Sequence, residues 1–465
     1  MNYPVLEVPV LGGGLLIAII SILHVYTAHF AVGGGLYLVL TEGKAYREGD
    51  QALLDFVRGF SRVFVLLTVV FGAVTGVGIW FTVGTVTPPA TSSLIHLFVW
   101  IWAMEYVPFF VEITTALVYY YGWDRLSPRM HLLVGWLYTV AAYSSLVFIN
   151  GILAFMLTPG AWPRTGNVWH AWWNPGTLPS LVMRTSVALA LAGLFGLLTG
   201  TRLKDDGLRR RVVRYSAMWL WPAFIGLPLG GLWYFSRVPE PARAQFLGGA
   251  AAVTIFMAAS LVLSVLILLF TYWGPYREPG RVSFPLALLF VTLGLLVTGT
   301  SEWVREAIRK PYVIYDYMYV NGIRPAEVAE IDRRGILRYA RWARPVPAGP
   351  SPDAVLARGQ EVFRLQCMAC HTVDGYNGVR ALVRGWTPEF TEFQLRHLNR
   401  LKGFMPPFAG TDEERRALAA WLASLNPRPP WAPSSPEARP AAAAPHSGAD
   451  APAAVSPNMR RLLPQ

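Results

Sequence analysis

Cys367-Met368-Ala369-Cys370-His371 decides the fold of the C-terminal part of the chain, and it contains the only two cysteines. Two thiols spaced C-x-x-C and followed by His form the attachment motif of a c-type haem. The thiols bond to the porphyrin vinyl groups, and the adjacent His is placed to ligate the iron. A zinc site is the alternative, but zinc needs two further nitrogen or sulfur ligands, and only His397 lies nearby. The motif therefore predicts a covalent haem c bound by Cys367, Cys370 and His371.

The composition points to a membrane protein. Of the 465 residues, 54% are hydrophobic and only 15% are charged. This balance is typical of a membrane protein with a modest soluble part. The formal net charge of +12 raises the alternative of nucleic-acid binding. Most of the excess lies in loops between apolar stretches, where it sets orientation, so no nucleic-acid partner is expected.

Eight apolar stretches are long enough to cross the hydrocarbon core, which takes about 20 helical residues. The first lacks a charged n-region and a small-residue cleavage site, so we expect it to be retained. The pattern predicts an all-α, polytopic bundle of about eight transmembrane helices in contact with membrane lipid. The predicted spans are residues 11–41, 60–85, 92–121, 131–158, 178–200, 213–236, 245–273 and 283–303.

The loops between these spans differ in their basic residues. The odd-numbered loops hold 13 Lys and Arg residues, and the even-numbered loops hold 3. Basic loops stay in the cytoplasm, so the N-terminus is expected outside, and the chain leaves its eighth span outside again. Haem attachment to C-x-x-C-H also takes place outside the cytoplasmic membrane. Both arguments predict a multi-pass protein of the bacterial cytoplasmic (inner) membrane, with the haem domain on the periplasmic side.

Four regions follow from the changes in composition. Residues 1–303 form the transmembrane domain, and residues 304–352 form a connector on the outer face that is rich in Tyr and Arg. An interfacial aromatic and basic belt is the alternative for this connector. Residues 353–426 form a small helical domain. Residues 427–465 are rich in Pro, Ala and Ser, which predicts a disordered tail.

The helical domain has a recognisable order of features. A helix pattern over residues 354–363 leads into the C-x-x-C-H motif, Met405-Pro406 follows in a loop, and a closing helix pattern covers residues 412–425. This order resembles class I cytochromes c over about 75 residues. The resemblance implies that Met405 is the second axial ligand of the iron, opposite His371. A core position in the loop is the alternative for Met405. Thioether ligation raises the reduction potential and suits electron transfer.

Ionisable residues inside membrane spans are costly, and each is a functional candidate. His24 and His29 in span 1 are five residues apart, about 140° around a helix. They therefore face different directions, and we do not expect them to ligate one haem together. Glu105 and Glu112 in span 3 are two turns apart and share a face, which suits a proton path or a metal ligand. A hydrogen-bonded core position is the alternative for each His.

A family resemblance appears in span 3. Phe109-Phe110-Val111-Glu112 leads to Gly122-Trp123-Asp124-Arg125-Leu126, and this run resembles subunit I of the cytochrome bd quinol oxidases. The resemblance extends over about 300 residues. Further positions match the family in span 1, in span 4 and after span 8: His24 with Glu42, Asn150-Gly151, and Glu306, Arg309 and Pro311.

This resemblance implies roles for three residues. His24 corresponds to the ligand of a high-spin haem b. Glu105 corresponds to a glutamate beside the haem d iron, and Glu112 to one proposed to serve proton transfer or a haem. The resemblance thus implies a haem b and a partner resembling subunit II of the family, and it leaves haem d open.

The departures from the family are equally informative. Arg184 stands where the family has the His ligand of its low-spin haem b, although Met257 matches the Met ligand of that haem. The loop between spans 6 and 7, where the family oxidises quinol, is reduced to residues 237–245. The ninth span is absent, and the predicted haem c domain follows instead.

Three functions are compatible with these observations. In the first, an oxidoreductase accepts electrons from a soluble or membrane cytochrome c, passes them from haem c to haem b, and reduces oxygen near Glu105 and Glu112. In the second, quinol is oxidised in the membrane and haem c exports the electrons. In the third, the membrane part is an anchor without haem. The retained His24 and glutamates favour the first function, and Arg184 favours the second.

Overall fold

The structure is a computed structural model, and it describes residues 3–426. The predicted tail at 427–465 lies outside the described residues. The membrane part consists of helices joined by short loops. In chain order they are α1 (Gly13–Glu48), α2 (Gln51–Val65), α3 (Gly72–Val86), α4 (Pro88–Leu97), α5 (Val99–Tyr121), α6 (Pro128–Phe155), α7 (Trp162–Thr165), α8 (Val168–Trp172), α9 (Thr177–Gly200), α10 (Asp206–Met218), α11 (Trp221–Arg237), α12 (Glu240–Ala244), α13 (Ala251–Thr271) and α14 (Phe284–Ala307).

Short irregular helical segments complete this part. A π-helical segment, Leu66–Phe71, joins α2 to α3 without a break, and a second one, Tyr272–Tyr276, extends α13. A third, Gln245–Gly249, follows α12, and a 3₁₀ turn, Pro279–Arg281, precedes α14.

The C-terminal part begins with a hairpin of β1 (Tyr312–Ile314) and β2 (Met318–Tyr319), which pair antiparallel. A 3₁₀ turn, Pro325–Glu327, follows the hairpin. The remaining helices are α15 (Val328–Arg334), α16 (Ile336–Tyr339), α17 (Pro352–Gln366), α18 (Val379–Leu382), α19 (Pro388–Arg396), α20 (Leu398–Leu401) and α21 (Asp412–Ser424).

Seven helical stretches of the described chain are long and apolar enough to cross a membrane: Gly13–Glu48, Gln51–Val86, Val99–Tyr121, Pro128–Phe155, Thr177–Gly200, Ala251–Tyr276 and Phe284–Ala307. The predicted sixth span, 213–236, differs from its prediction because it is divided into α10 and α11. The four arginines of α10 keep that helix at the polar face, because charged side chains are costly in hydrocarbon. Pro222 lies in the first turn of α11, where a helix tolerates proline, so a new helix begins there.

The 17-residue helix α11 nevertheless crosses the bundle. At its start, the ring of Trp221 lies 5.7 Å from that of Tyr276, beside the loop before α14. Just beyond its end, Val238 packs with Leu157 and Ile308 at the opposite face. A helix of about 17 residues is at the short end of what spans a bilayer. Helix α11 therefore runs between the same two faces as the seven longer stretches, and the first and last residues of the bundle lie on the same face.

The four basic loops meet at one face of the bundle. Arg211 pairs with Asp50 at 2.6 Å, which joins the fifth loop to the first. Arg214 Nε donates to the carbonyl of Tyr276 at 3.0 Å, which joins the base of α10 to the seventh loop. The C-terminal domain lies at the other face, against the residues that precede α1. The charge asymmetry expected of a membrane protein is thus present in the fold.

Helix α1 occupies the centre of the bundle because its glycines let other helices approach closely. A Cβ at Gly33 would lie 1.9 Å from the carbonyl oxygen of Ala188 on α9. A Cβ at Gly35 would lie 2.2 Å from the ring of Tyr138 on α6. Small residues at helix contacts are the usual packing device in lipid, where no hydrophobic force brings helices together.

The C-terminal domain is held by its first and last long helices. Gly359 of α17 lies against the backbone of Ala417 on α21, and the rings of Phe363 and Trp421 are 4.8 Å apart. The same core includes residues from the predicted connector, among them Ile323 and Ile336. The predicted domain boundaries therefore stay a prediction, although the all-α architecture is as expected.

Candidate functional site

The C-x-x-C-H motif forms one tight turn directly after α17. The backbone N–H groups of Cys370 and His371 both donate to the carbonyl of Cys367, at 3.1 and 2.9 Å. This turn brings two thiols and one imidazole to the same side of the chain. Desolvation raises the pKa of the Cys367 thiol to about 12, and the neighbouring Cys370 adds to the shift. Both half-buried thiols are therefore uncharged at neutral pH.

The imidazole of His371 is oriented for iron ligation. Its Nδ1 lies 3.0 Å from the carbonyl oxygen of Asn377, so Nδ1 carries the proton and Nε2 keeps its lone pair. Desolvation lowers the pKa of His371, and the Asn377 carbonyl opposes that effect in part. Asn377 also donates to the carbonyl of Cys370 at 2.9 Å, which fixes the loop. A neutral His with a hydrogen-bonded Nδ1 is the usual form of an axial ligand.

The zinc alternative lacks partners. Within residues 3–426 no three His, Cys, Asp or Glu side chains converge as they would around a metal ion. His397 lies after α19, where its Nδ1 contacts the carbonyl of Phe393 at 2.9 Å. The residues of the motif therefore fit a covalent haem better than a zinc ion. Met405 is half-buried in the loop between α20 and α21, and its role as axial ligand stays a prediction.

The haem attachment loop lies directly on the membrane bundle. A Cβ at Gly14, in the first turn of α1, would be 3.5 Å from the carbonyl oxygen of Ala369. The backbone N–H of Tyr376 donates to the carbonyl of Val10 at 2.8 Å. Gly375 leaves no room for a side chain, because a Cβ there would lie 2.1 Å from the same Val10 oxygen. The residues just before α1 therefore form a strap beneath the attachment loop.

Charged residues reinforce this docking. Glu7 of the strap pairs with Arg344 and lies 3.7 Å from Arg364 of α17. Beyond α14, Lys310 acts electrostatically on both Cys370 and His371. The attachment loop thus contacts the start of α1 and lies within electrostatic range of the residues that follow α14.

His24 lies on the same helix, three turns below the strap. Thr75 on α3 donates its hydroxyl to the carbonyl of Phe71, so its oxygen accepts the proton of His24 Nδ1 at 3.1 Å. Nε2 of His24 then keeps its lone pair, as iron ligation requires. Gly76 faces the ring, and a Cβ there would lie 3.2 Å from His24 Cε1. These residues fit a haem b ligand, and the assignment stays a prediction.

Glu105 and Glu112 face α6, as expected of two residues on one side of α5. Ser145 Oγ donates to Glu105 at 2.6 Å, and Tyr138 OH donates to Glu112 at 3.1 Å. The Tyr138 proton is shared with the carbonyl of Ala31, also at 3.1 Å. Each carboxylate therefore has one hydroxyl donor from α6 at the same two-turn spacing, and this arrangement can hold or pass protons.

Arg184 is buried in an ion-pair cluster near the face that carries the C-terminal domain. Its guanidinium lies 3.2 Å from Glu302 on α14, and Arg305 donates to the same carboxylate at 2.8 Å. His29 is 3% exposed, contacts the carbonyl of Val25 and lies within electrostatic range of Arg184 and Glu302. His24 and His29 thus face different neighbours, as predicted. The position that the resemblance gives to a haem ligand is occupied by a cation with its own counter-ion.

A second buried cluster lies near the basic face. His131 Nδ1 is 2.7 Å from Glu42, and its Nε2 is 2.9 Å from the carbonyl of Tyr119. Both ring nitrogens of His131 therefore have a polar neighbour, and these contacts fix the orientation of the ring. Tyr119 OH completes the cluster by donating to Glu42 at 2.6 Å. These contacts give His131 a structural role in the buried cluster.

Sequence reasoning missed the partners of several of these groups. Glu302 lies inside the predicted eighth span, so it carried the same signal as the other intramembrane charges. A buried arginine such as Arg184 also requires a carboxylate nearby. Asn150, by contrast, has a structural role: it donates to the carbonyl of Thr177 at 2.8 Å and accepts from Ser180 at 2.7 Å.

Comparisons with known proteins find similar families for the membrane part and for the C-terminal part of the chain. Residues 15–203 match the family model for cytochrome bd terminal oxidase subunit I, and residues 354–422 match that for cytochrome c oxidase, cbb3-type, subunit III. Among solved structures, the bd oxidase from Geobacillus thermodenitrificans is similar, with 15% sequence identity and a TM-score of 0.55. The match covers 65% of this chain and 87% of that chain. No curated protein matches. The predicted resemblance and fold class are therefore confirmed.

Proposed function

We propose that this chain, with its cytochrome bd-like membrane domain and its cbb3-type cytochrome c domain, is an oxidase-like respiratory protein. In this proposal electrons move between haem c, bound by Cys367, Cys370, His371 and Met405, and a haem b bound by His24. An oxygen-reducing site lies near Glu105 and Glu112. The c domain faces the periplasm, and the basic loops face the cytoplasm.

The contact between Ala369 and Gly14 carries the proposal. It brings the loop that attaches haem c against the first turn of the helix that holds His24. His24 lies 10 residues beyond Gly14, which is about 15 Å along a helix axis. When bound, haems at these two positions would supply one-electron chemistry. A membrane domain that only anchors the C-terminal domain would not need the haem attachment loop beside the first turn of α1.

The chain's own residues have two tasks in this reaction. His24 would hold the haem b iron through Nε2, because Thr75 contacts Nδ1 and fixes the tautomer. Glu105 and Glu112 hold protons through Ser145 and Tyr138 and can release them toward a reduced product. Such a carboxylate pair is costly in a membrane and is usually retained for proton movement.

Quinol oxidation in the membrane, with haem c as the electron exit, is the second candidate. The observation that favours it is the Arg184–Glu302 pair, because a haem lost at that position changes the path of electrons. A subunit II-like partner is also part of the proposal. Helix α5 exposes Trp100, Tyr106 and Phe110 by 60% or more, and a second subunit or lipid would cover them.

The haem content of purified protein tests the proposal. A pyridine haemochrome spectrum is expected to contain both b- and c-type bands. In His24→Ala the b-type bands should disappear, while the covalent haem c stays. His96→Ala is the matched control, since His96 is exposed on α4 and its hydrogen-bond partner within residues 3–426 is Ser92. Protein with haem c alone would show that the membrane part is an anchor, and unchanged haem b in His24→Ala would refute the ligand assignment.

Oxygen uptake distinguishes the two directions of electron flow. With reduced cytochrome c as donor, the first candidate consumes oxygen, and Glu112→Gln slows it. With quinol as donor, the second candidate reduces haem c without consuming oxygen. Protein that reduces neither oxygen nor haem c with either donor would contradict both.

A further inference from the structure

A large open cavity lies at the basic face, far from the haem attachment loop. Its volume is about 890 Å³. It is lined by the end of α1, the start of α2, helix α10 and the segment between α13 and α14. Its inner wall is apolar and its rim is basic. The apolar wall is formed by Leu53, Leu208, Val212, Tyr215 and Met218.

Six basic side chains form the rim, and three of them have carboxylate partners. Lys44 pairs with Glu48, Arg211 with Asp50 at 2.6 Å, and Arg281 with Glu278 at 2.6 Å. These pairs leave the other three guanidinium groups to determine the net charge of the rim.

The remaining three, Arg210, Arg214 and Arg277, have no carboxylate partner among residues 3–426. Arg214 donates through Nε to the carbonyl of Tyr276, which leaves its terminal nitrogens available. Arg277 donates to Tyr272 OH at 2.6 Å and lies over that ring. Arg210 approaches the backbone of Gly280, where a Cβ would lie 2.9 Å from its Nε. The cavity therefore carries an excess of three positive charges.

We propose that this cavity binds the phosphate headgroup of an anionic phospholipid. Guanidinium groups match phosphate oxygens in bidentate geometry. The apolar wall offers a surface for the glycerol and the upper acyl chain, which a free phosphate would not use. Orientation by basic loops explains why arginines lie on this face. It does not explain why three unpaired ones surround one apolar cavity, whereas basic pockets between membrane helices on the cytoplasmic side do bind anionic headgroups.

The test uses the full haem-loaded protein, delipidated in a neutral detergent and titrated with phosphatidylglycerol, phosphatidylcholine or inorganic phosphate. Binding is followed by native mass spectrometry. We expect phosphatidylglycerol to bind, and the other two to bind at least about tenfold more weakly. In Arg210→Gln/Arg214→Gln/Arg277→Gln the affinity for phosphatidylglycerol should fall by roughly 100-fold.

The matched control is Arg62→Gln/Arg125→Gln/Arg129→Gln, which removes the same charge from the α5–α6 side of this face, away from the cavity lining. It should change the affinity by less than about threefold, because distant charges are screened. Equal loss in the two triple variants, or equal affinity for phosphatidylcholine, overturns the proposal. Inorganic phosphate binding as tightly as the lipid overturns the lipid assignment. If the first triple variant does not fold, exposed Arg210→Gln alone should still lose about fivefold.

Discussion

At the residue scale, the buried pair of Glu42 and His131 is the clearest case of a charge placed for stability. Its side chains are 0% and 2% exposed, and every donor and acceptor of the pair is satisfied. Removing one partner of a buried pair leaves the other uncompensated. The exposed pair of Glu48 and Lys44 on the same helix provides a natural comparison.

We predict that Glu42→Gln lowers the free energy of unfolding by about 3 kcal/mol, because His131 and Tyr119 both lose the buried carboxylate that they contact. Glu48→Gln should change it by less than about 1 kcal/mol, since water screens an exposed pair. Unfolding in mixed detergent micelles, followed by circular dichroism, measures both. Similar values for the two variants would contradict the assignment of a buried ion pair.

The pair of Arg184 and Glu302 permits a double-mutant test. Glu302→Leu alone is expected to cost about 3–5 kcal/mol, because it leaves Arg184 buried without its carboxylate. Arg184→Leu alone should cost less, because Arg305 still pairs with Glu302. The double variant should cost clearly less than the sum of the two. Arg305 still faces position 302, so recovery will be partial. Strict additivity, measured in the same unfolding assay, would mean that the two residues do not interact.

Sequence alone predicted the different directions of His24 and His29, because helical periodicity fixes them. It also predicted that Glu105 and Glu112 share a face. It did not predict that Tyr138 and Ser145 donate to the two glutamates, or that Glu302 lies within electrostatic range of His29. Those contacts depend on which helices become adjacent, and no local pattern contains that information.

At the element scale, α1 depends on glycines that differ in their surroundings. Gly33 meets the backbone of Ala188, whereas a Cβ at Gly43 would meet only Arg47 and Leu132 at 3.6 Å or more. We predict that Gly33→Ala destabilises the protein by about 1–3 kcal/mol through overpacking. Gly43→Ala should stabilise it by about 0.5–1 kcal/mol, as alanine does in a helix. Thermal unfolding in detergent compares them, and a shift of the same sign in both would contradict this packing.

The sixth span shows how a hydropathy pattern can place an element correctly and its bounds wrongly. Residues 213–236 are apolar enough on average to predict one helix. The chain instead ends α10 at Met218 and begins α11 at Trp221, because the arginines of α10 stay at the basic face. The crossing is retained with 17 residues. Average hydropathy does not resolve such a break.

At the scale of the whole molecule, α11 runs between the same two faces as the seven longer helical stretches and so brings the two ends of the membrane part to one face. The C-x-x-C-H motif and the basic loops predicted this arrangement independently. The strap at residues 3–12 was not predicted, because its main contact joins Val10 to Tyr376 through backbone atoms. Such a contact leaves no periodic signal in the sequence.

The same contact provides the test of how the two domains cooperate. Gly375→Ala places a Cβ where the Val10 carbonyl lies, at 2.1 Å, so the attachment loop must move away from the strap. Haem c stays covalently attached, and His24 is untouched. Under the proposed function, we expect electron transfer between the two haems, measured by stopped-flow absorbance, to slow by about an order of magnitude. Gly403→Ala is the control, since nothing lies within 4 Å of a Cβ there. Equal rates in both variants would mean that the strap does not hold the c domain in its working position.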